Sequence, residues 1–515
     1  MRDGTPRFVS PSTKGITVAI TGATALTQTF ALTPTATGCS GTSAVTTCAF
    51  SIAGLKPCSS ATNCYTAAVS TYDAVVCATT CTIPAGAHEL SAAQSVGFGV
   101  TAGTANTVNL TLGGIPKFIT VSPFRQGFLQ GSASALTLYG AQAQVLSIEP
   151  RDADGNVIVG PGAPAITAST TATKLAVANP ASATPNRLTL RAVTFGSPPA
   201  VLPGTVALKI SVVPFAQSGG ATIVKTIPVT IAHSVLYVGL GSSIDEFFDG
   251  NTGTPNETIS GSNPDFDVVA GVAVDKNDTL YAASEENSTF LGFASGTFGN
   301  AVPNIDIFGG TTGLNAPFGA AISENGLAYV TNAGTASVVA YAPGSNGNAT
   351  PSVTIAGPAT GMNVPLGLAS DSYGTLYVAN FSTPSVTEYA VGANGDAAPS
   401  ASIQGLNTRL SDPEGVALDV NANLYVADYG QNDVTEYASG ASGNVAPIAL
   451  IQGVATQLVE PIGVAVDANG TIYVANGNPE VLIFPAGSNG NATSVSFTVP
   501  SDPQSIAVVP AAIAP

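Results

Sequence analysis

From residue 234 onward, apolar and polar positions recur in a fixed order. The segments GVAVDKNDTLYAAS, GAAISENGLAYVTN, GLASDSYGTLYVAN, GVALDVNANLYVAD and GVAVDANGTIYVAN begin at Gly271, Gly319, Gly367, Gly415 and Gly463, 48 residues apart each time. Each holds two short apolar runs around an Asn, Asp or Gly turn, which predicts a β-hairpin. Tyr281, Tyr329, Tyr377, Tyr425 and Tyr473 mark the second strand, and Tyr237 precedes the first of them by 44 residues, giving a sixth copy. A third strand ends in an aromatic residue (Phe293, Tyr341, Tyr389, Tyr437, Phe484), and a Gly-rich turn such as GSNGNAT or GANGDAA leads into a fourth, such as PSASIQG.

Four strands per repeat is the pattern of a propeller blade. The first unit lacks its N-terminal strand, whereas the chain ends on PQSIAVVP, a matching strand without a partner of its own. Residues 505 to 509 are therefore expected to pair with residues 235 to 239, closing six blades and leaving no long free edge.

Upstream the texture changes. Residues 15 to 116 and 117 to 233 carry alternating segments such as GITVAITG, YTAAVSTYDA and VALKISVVP between turn clusters. They resemble immunoglobulin-like or prealbumin-like β-sandwiches, preceded by a leader or linker over residues 1 to 14. With 56 Gly and 36 Pro the fold class is all-β, and no apolar run is long enough for a membrane-spanning helix. Cys39, Cys48, Cys58, Cys64, Cys77 and Cys81 lie close together and lack zinc-site spacing, so disulfides are expected. The short gaps favour Cys39 with Cys48, Cys58 with Cys64, and Cys77 with Cys81. Such bonds imply an extracytoplasmic protein, secreted or held at the cell surface, although residues 1 to 15 show no signal peptide.

The repeat reads PIGVAVDANGTIYVAN from Pro461 to Asn476, and on that motif residues 234 to 515 resemble NHL repeats. The resemblance implies a six-bladed propeller of the TolB-like and SMP-30-like shape, a shape that hosts binding modules, lactonases and lyases alike. One departure matters. Where NHL repeats usually place Arg after the Asn of the loop between strands two and three, this chain has ASV, PSV and NDV ending at Val338, Val386 and Val434. Without those cations a nucleic-acid partner is rejected.

Residues 234 to 515 contain no His or Cys, which excludes His chemistry and N/S zinc ligation there and leaves oxygen ligands for Ca²⁺ or Mg²⁺. In such propellers the loops from strand two to three and from strand four to the next strand one share the ligand-binding face. The first set brings Ser284, Asn332, Asn380, Asp428 and Asn476, and the second Asp267, Asp412, Glu414, Glu460 and Asp502. Together they form the expected mouth, read either as a calcium-supported or carbohydrate-binding ring or, for the recurring Asn and Asp, as turn closure. The acids beside the prolines, led by Glu414 and Glu460, are the stronger candidates.

Other motifs are discounted. Asp275, Asp419 and Asp467 read as Asx turns between strands one and two. The run from Asp152 to Asn156 starts like an EF-hand loop but has Ala163 at its twelfth position. His88 and His233 read as strand-end or linker residues, and the sequons at Asn256, Asn348 and Asn491 as hairpin turns.

The net charge of −17 divides unevenly, with six acidic and twelve basic residues up to 233 and 25 acidic against two basic, Lys276 and Arg409, beyond it. The expected molecule is a weakly basic stalk bearing a strongly acidic head. Its expected function is non-enzymatic binding of a protein or carbohydrate at the propeller face, by a monomer with possible cell-envelope attachment. No cofactor is expected, calcium being the one the mouth would accept, and the alternative is a Ca²⁺- or Mg²⁺-dependent lactonase or lyase.

Overall fold

The computed structural model describes residues 12–511 except 34, 37–38, 42–45, 49–50, 58–63, 79, 99, 101–111, 125–127, 159–162, 196–199, 217, 219 and 264–265. Among them the fold is all-β, and no helix is long and apolar enough to cross a membrane.

Six four-stranded antiparallel sheets follow one another from Val235 onward. A typical one orders Pro365–Ser370, Leu376–Asn380, Ser385–Tyr389 and Ala401–Gln404. The sheet begun by Val235–Gly239 takes its innermost strand from the chain's end, with Val235 opposite Val509 and Gly239 opposite Ser505. The innermost strands contact one another in sequence, and Val269–Val274 meets Ser505–Val509 to close the circle. This ring of radial sheets is a β-propeller.

Crowding at the axis explains the glycine of each GVAVD-type strand. A Cβ on Gly271, Gly319 or Gly367 would overlap the carbonyl oxygen of Phe318, Leu366 or Glu414 on the next strand. Farther out, adjoining sheets bury aliphatic and aromatic side chains between them, as where Val338 and Ile355 meet Leu368, Val378 and Tyr389. Three of the third-strand tyrosines also anchor loops, since the hydroxyls of Tyr341, Tyr389 and Tyr437 donate to the carbonyls of Thr312, Thr360 and Thr408, each 29 residues earlier.

The rim is stitched by the Gly-rich turns. Asn300, Asn348, Asp396 and Asn444 each accept a backbone N–H 37 residues upstream, on the preceding sheet's outer loop, and Asn491 does the same at 36. Two of the three sequons are therefore latches between sheets, a role that goes beyond the hairpin turn read from sequence. The third, Asn256, accepts the N–H of Phe248 at 2.8 Å.

Residues 118–232 form two facing sheets, one of four strands and one of five, around a core that includes Leu136, Leu146, Leu188, Leu208 and Ile227. The first region is described as one five-stranded sheet with two short hairpins, and a second large sheet is not among its described residues. Cys77 and Cys81 form a disulfide. Cys39 and Cys64 are also disulfide-bonded, and Cys39 faces Cys48 in register. The side chain of Cys48 and all of Cys58 lie outside the described residues.

Both histidines mark junctions. His88 Nδ1 lies 2.9 Å from carboxylate oxygens of both Asp73 and Asp154. Asp152 Oδ1 accepts the backbone N–H groups of Asp154 and Asn156, so the EF-hand-like run is an Asx turn. Asp249, its side chain fully buried, accepts the N–H groups of Val201 and Ser234 and lies 2.9 Å from His233 Nδ1, pinning the second sandwich to the propeller.

Candidate functional site

Five of the six loops that enter an innermost strand are held by the side chain at the end of the second strand. Ser284, Asn332, Asn380, Asp428 and Asn476 accept the N–H of Asp267, Asn315, Asn363, Ser411 and Val459, 17 residues back in every case. All five side chains are fully buried. Of the expected ring, then, Asn332, Asn380, Asp428 and Asn476 are placed under the mouth, where their oxygens already serve the backbone. The bond closes the open end of the hairpin made by strands one and two, and an Asn or Asp at that place reads in the sequence as readily as a turn residue or a ligand.

The acids of the second loop set lie above. Asp267, Glu460 and Asp502 are exposed, and Asp412 and Glu414 are half-buried. Among the described residues, neither Asp267 nor Asp502 lines the axial opening that Glu414 reaches. Glu414 lines a 60 Å³ opening at the axis, walled by the glycine-bearing innermost strands and by Gln504 and Ser505. Among the described residues it is the one ionisable side chain on that wall. Burial pushes its carboxyl up to about 8, helped by the negative charges of Asp412, Asp428, Glu285 and Glu460. At neutral pH Glu414 is thus largely a protonated acid, able to donate as well as accept a hydrogen bond.

An aromatic pair accompanies these acids. Phe381 and Tyr429 meet edge to face at 6.5 Å. The Tyr429 hydroxyl is hydrogen-bonded to Glu460, which raises its pKa. A protonated carboxyl, a carboxylate and two ring edges form a surface suited to hydroxyl-rich or amide ligands. The rings were not singled out from sequence, although both follow the buried Asn380 or Asp428 directly.

The same sheet holds a second acid, Asp433, opposite Asp428 in register. Its carboxyl is fully buried with neither oxygen hydrogen-bonded among the described residues, and the Thr435 hydroxyl is likewise unpartnered. Burial first and the Asp428 charge second push Asp433 up to about 7, against the opposing pull of Arg409. The Arg409 guanidinium comes only to 3.8 Å.

On the opposite face, Asp275, Asp419 and Asp467 each use Oδ1 to accept two backbone N–H groups of their own turn, as Asx turns do.

No family model matches the chain, and no curated protein matches it. Solved structures are similar. Virginiamycin B lyase from Staphylococcus aureus is 12% identical, over 46% of this chain and 72% of that one, with a TM-score of 0.34. A streptogramin B lyase is 10% identical over 52% and 74%, at 0.34. A protein of unknown function from Bacteroides caccae is 14% identical over 54% and 98%, at 0.41. The propeller fold is read from the ring of sheets itself, and these likenesses add neither an activity nor a ligand to it.

Proposed function

We propose that the chain is a non-enzymatic, extracytoplasmic binding protein in which a six-bladed NHL-like propeller, residues 234 to 515, is displayed on two sandwich modules, residues 15 to 116 and 117 to 233. Its ligand is a carbohydrate or protein segment seated at the mouth formed by Glu414, Glu460, Phe381 and Tyr429. The observation that carries this reading is the engagement of the buried Asn and Asp ring. A metal-dependent lactonase or lyase needs several convergent oxygen donors free to hold a cation. Here the recurring donors are committed to backbone N–H groups, which leaves a rim of the kind that recognises surfaces. The disulfide-bonded state of the four cysteines Cys39, Cys64, Cys77 and Cys81 supports the oxidising compartment.

The test is a panel of polysaccharides and lactones presented to the full chain, with and without a chelator. Binding of one polysaccharide class without turnover, weakened about tenfold by Glu414→Gln with Tyr429→Ala, is the expected result. Chelator-sensitive turnover restored by Ca²⁺ or Mg²⁺ would establish the enzymatic alternative in its place.

A further inference from the structure

A second cavity lies at the other end of the axis. It has a volume of 380 Å³ and is lined by the innermost strands of the propeller together with Gln130 and Tyr139 of the second sandwich. That volume falls within the range of small-molecule sites and equals about a dozen waters at liquid density. It shares Val272, Leu368, Val416, Val464 and Ile506 with the opening beside Glu414, so one aliphatic collar separates the two.

The chemistry changes sharply along this cavity. Its depth is walled by branched aliphatic side chains, which offer water no hydrogen bonds and favour an apolar guest. Its rim carries Asp275, Asp278, Glu324 and Asp371 against one cation, Lys276. That ammonium is already engaged, donating to the Glu324 carbonyl at 2.9 Å. Tyr139 closes the rim from the sandwich side, and burial together with the Asp278 charge keeps its hydroxyl protonated. Asp275 and Asp371 already accept backbone N–H groups of their own turns, but their charge adds to that of Asp278 and Glu324. An anionic head would therefore be repelled there, whereas a cationic head would find negative charge and the Tyr139 side chain.

We propose that this cavity binds an amphiphile with an aliphatic body and a cationic head, its chain in the collar and its head between Tyr139 and the rim acids. The site is distinct from the mouth at Glu414 and does not depend on what that mouth binds. It also gives the second sandwich a function, because Gln130 and Tyr139 complete a pocket the propeller alone leaves open.

The experiment uses the full chain and three probes of equal chain length, dodecyltrimethylammonium, dodecanol and dodecanoate, each below its micellar concentration, measured by displacement of a fluorescent apolar dye. The ammonium probe is expected to bind about tenfold tighter than the alcohol, as roughly 1.4 kcal/mol of charge and cation–π attraction would give, and the carboxylate weakest. Asp278→Asn with Glu324→Gln should bring the ammonium and alcohol together while leaving the alcohol unchanged, and Tyr139→Ala should weaken the ammonium probe alone. A bulky collar substitution, Val416→Phe, should abolish binding of all three in protein that still shows the native thermal transition. Equal binding of the three heads, no binding of any, or unaltered binding to folded Val416→Phe would overturn the proposal. Glu414→Gln with Tyr429→Ala serves as the control, since it alters only the mouth at the other end of the axis and should leave the ammonium probe bound.

Discussion

Two neighbouring sheets of the propeller share a backbone and differ in one polar cluster. In the sheet begun by Pro365–Ser370, Asn380 accepts the Asn363 N–H and turns its amide toward Ser385 and Thr387, donating to their hydroxyls at 3.3 and 3.0 Å. In the sheet begun by Pro413–Leu418, the equivalent residues are Asp428, Asp433 and Thr435. Asp428 has no donor to offer. It collects three backbone N–H groups instead, from Ser411, Asp412 and Gln431, and leaves the Asp433 carboxyl and the Thr435 hydroxyl without hydrogen-bond partners among the described residues. The extra bond also resets the entering loop. Ala316, Val364 and Glu460 take left-handed φ values of 48°, 51° and 47° before their prolines, and Asp412 does not. A near-isosteric exchange of amide for carboxylate thus turns a satisfied cluster into a frustrated one, directly beneath Tyr429 and Glu414. Strain retained at that place is what a functional mouth would be expected to carry.

The largest effect should come from breaking the seam between these two sheets. Gly367 packs against the Glu414 carbonyl so closely that no Cβ fits. Gly367→Ala must push backbone against backbone, and a loss of about 3 kcal/mol or more in unfolding free energy is expected by chemical denaturation. Gly395→Ala is the control, because φ is 68° there but the Cβ would enter open space, so only about 1 kcal/mol is at stake. Equal losses at the two positions would show that the axis is not crowded as described.

Converting the frustrated cluster into the satisfied one gives the next effect. Asp428→Asn with Asp433→Ser reproduces the Asn380 and Ser385 pair. Asp433 has a folded-state pKa near 7, above its ordinary value of 3.8, so the folded chain keeps a proton that the unfolded chain releases. Stability therefore falls as pH climbs from about 4 to 7 and stays low above that. The double variant should accordingly be more stable than the parent by about 2 to 4 kcal/mol at pH 8, with the gain shrinking toward zero at pH 4. Thermal unfolding across that pH range reads the difference, and a pH-independent gain would remove Asp433 as its source.

Much of this contrast is visible in the repeat itself. The 48-residue step aligns Asn380 with Asp428 and Ser385 with Asp433, and it places the closing strand at residues 505 to 509. What the step does not reveal is which partner each polar atom takes. The bond spanning 17 residues closes the mouth of a single hairpin and the latch spanning 37 joins two consecutive sheets, and neither contact is written in the identity of the residue, so a repeated Asn reads equally well as a turn residue or as a ligand. The alkyl-lined cavity is less legible still. Its walls are ordinary strand-one positions, and its rim depends on Tyr139, which belongs to a different region and reaches the axis through the Asp249 junction.

The smallest effect distinguishes the latches of the two sheets. Asp396, in the turn of the Pro365 sheet, accepts the Ala359 N–H at 2.7 Å, and Asn444, in that of the Pro413 sheet, accepts the Asn407 N–H at 2.7 Å. The geometry is matched but the acceptor is charged in one and neutral in the other. Hydrogen bonds to ionised groups exceed neutral ones by about twofold, so Asp396→Ala should cost about 1.5 kcal/mol and Asn444→Ala nearer 1. Both latches sit at the exposed rim, where salt screens the charge. Raising ionic strength should therefore narrow the gap between the variants by weakening the Asp396 latch alone. A gap that survives high salt would mean that the carboxylate's advantage lies in fixing the turn and not in its charge.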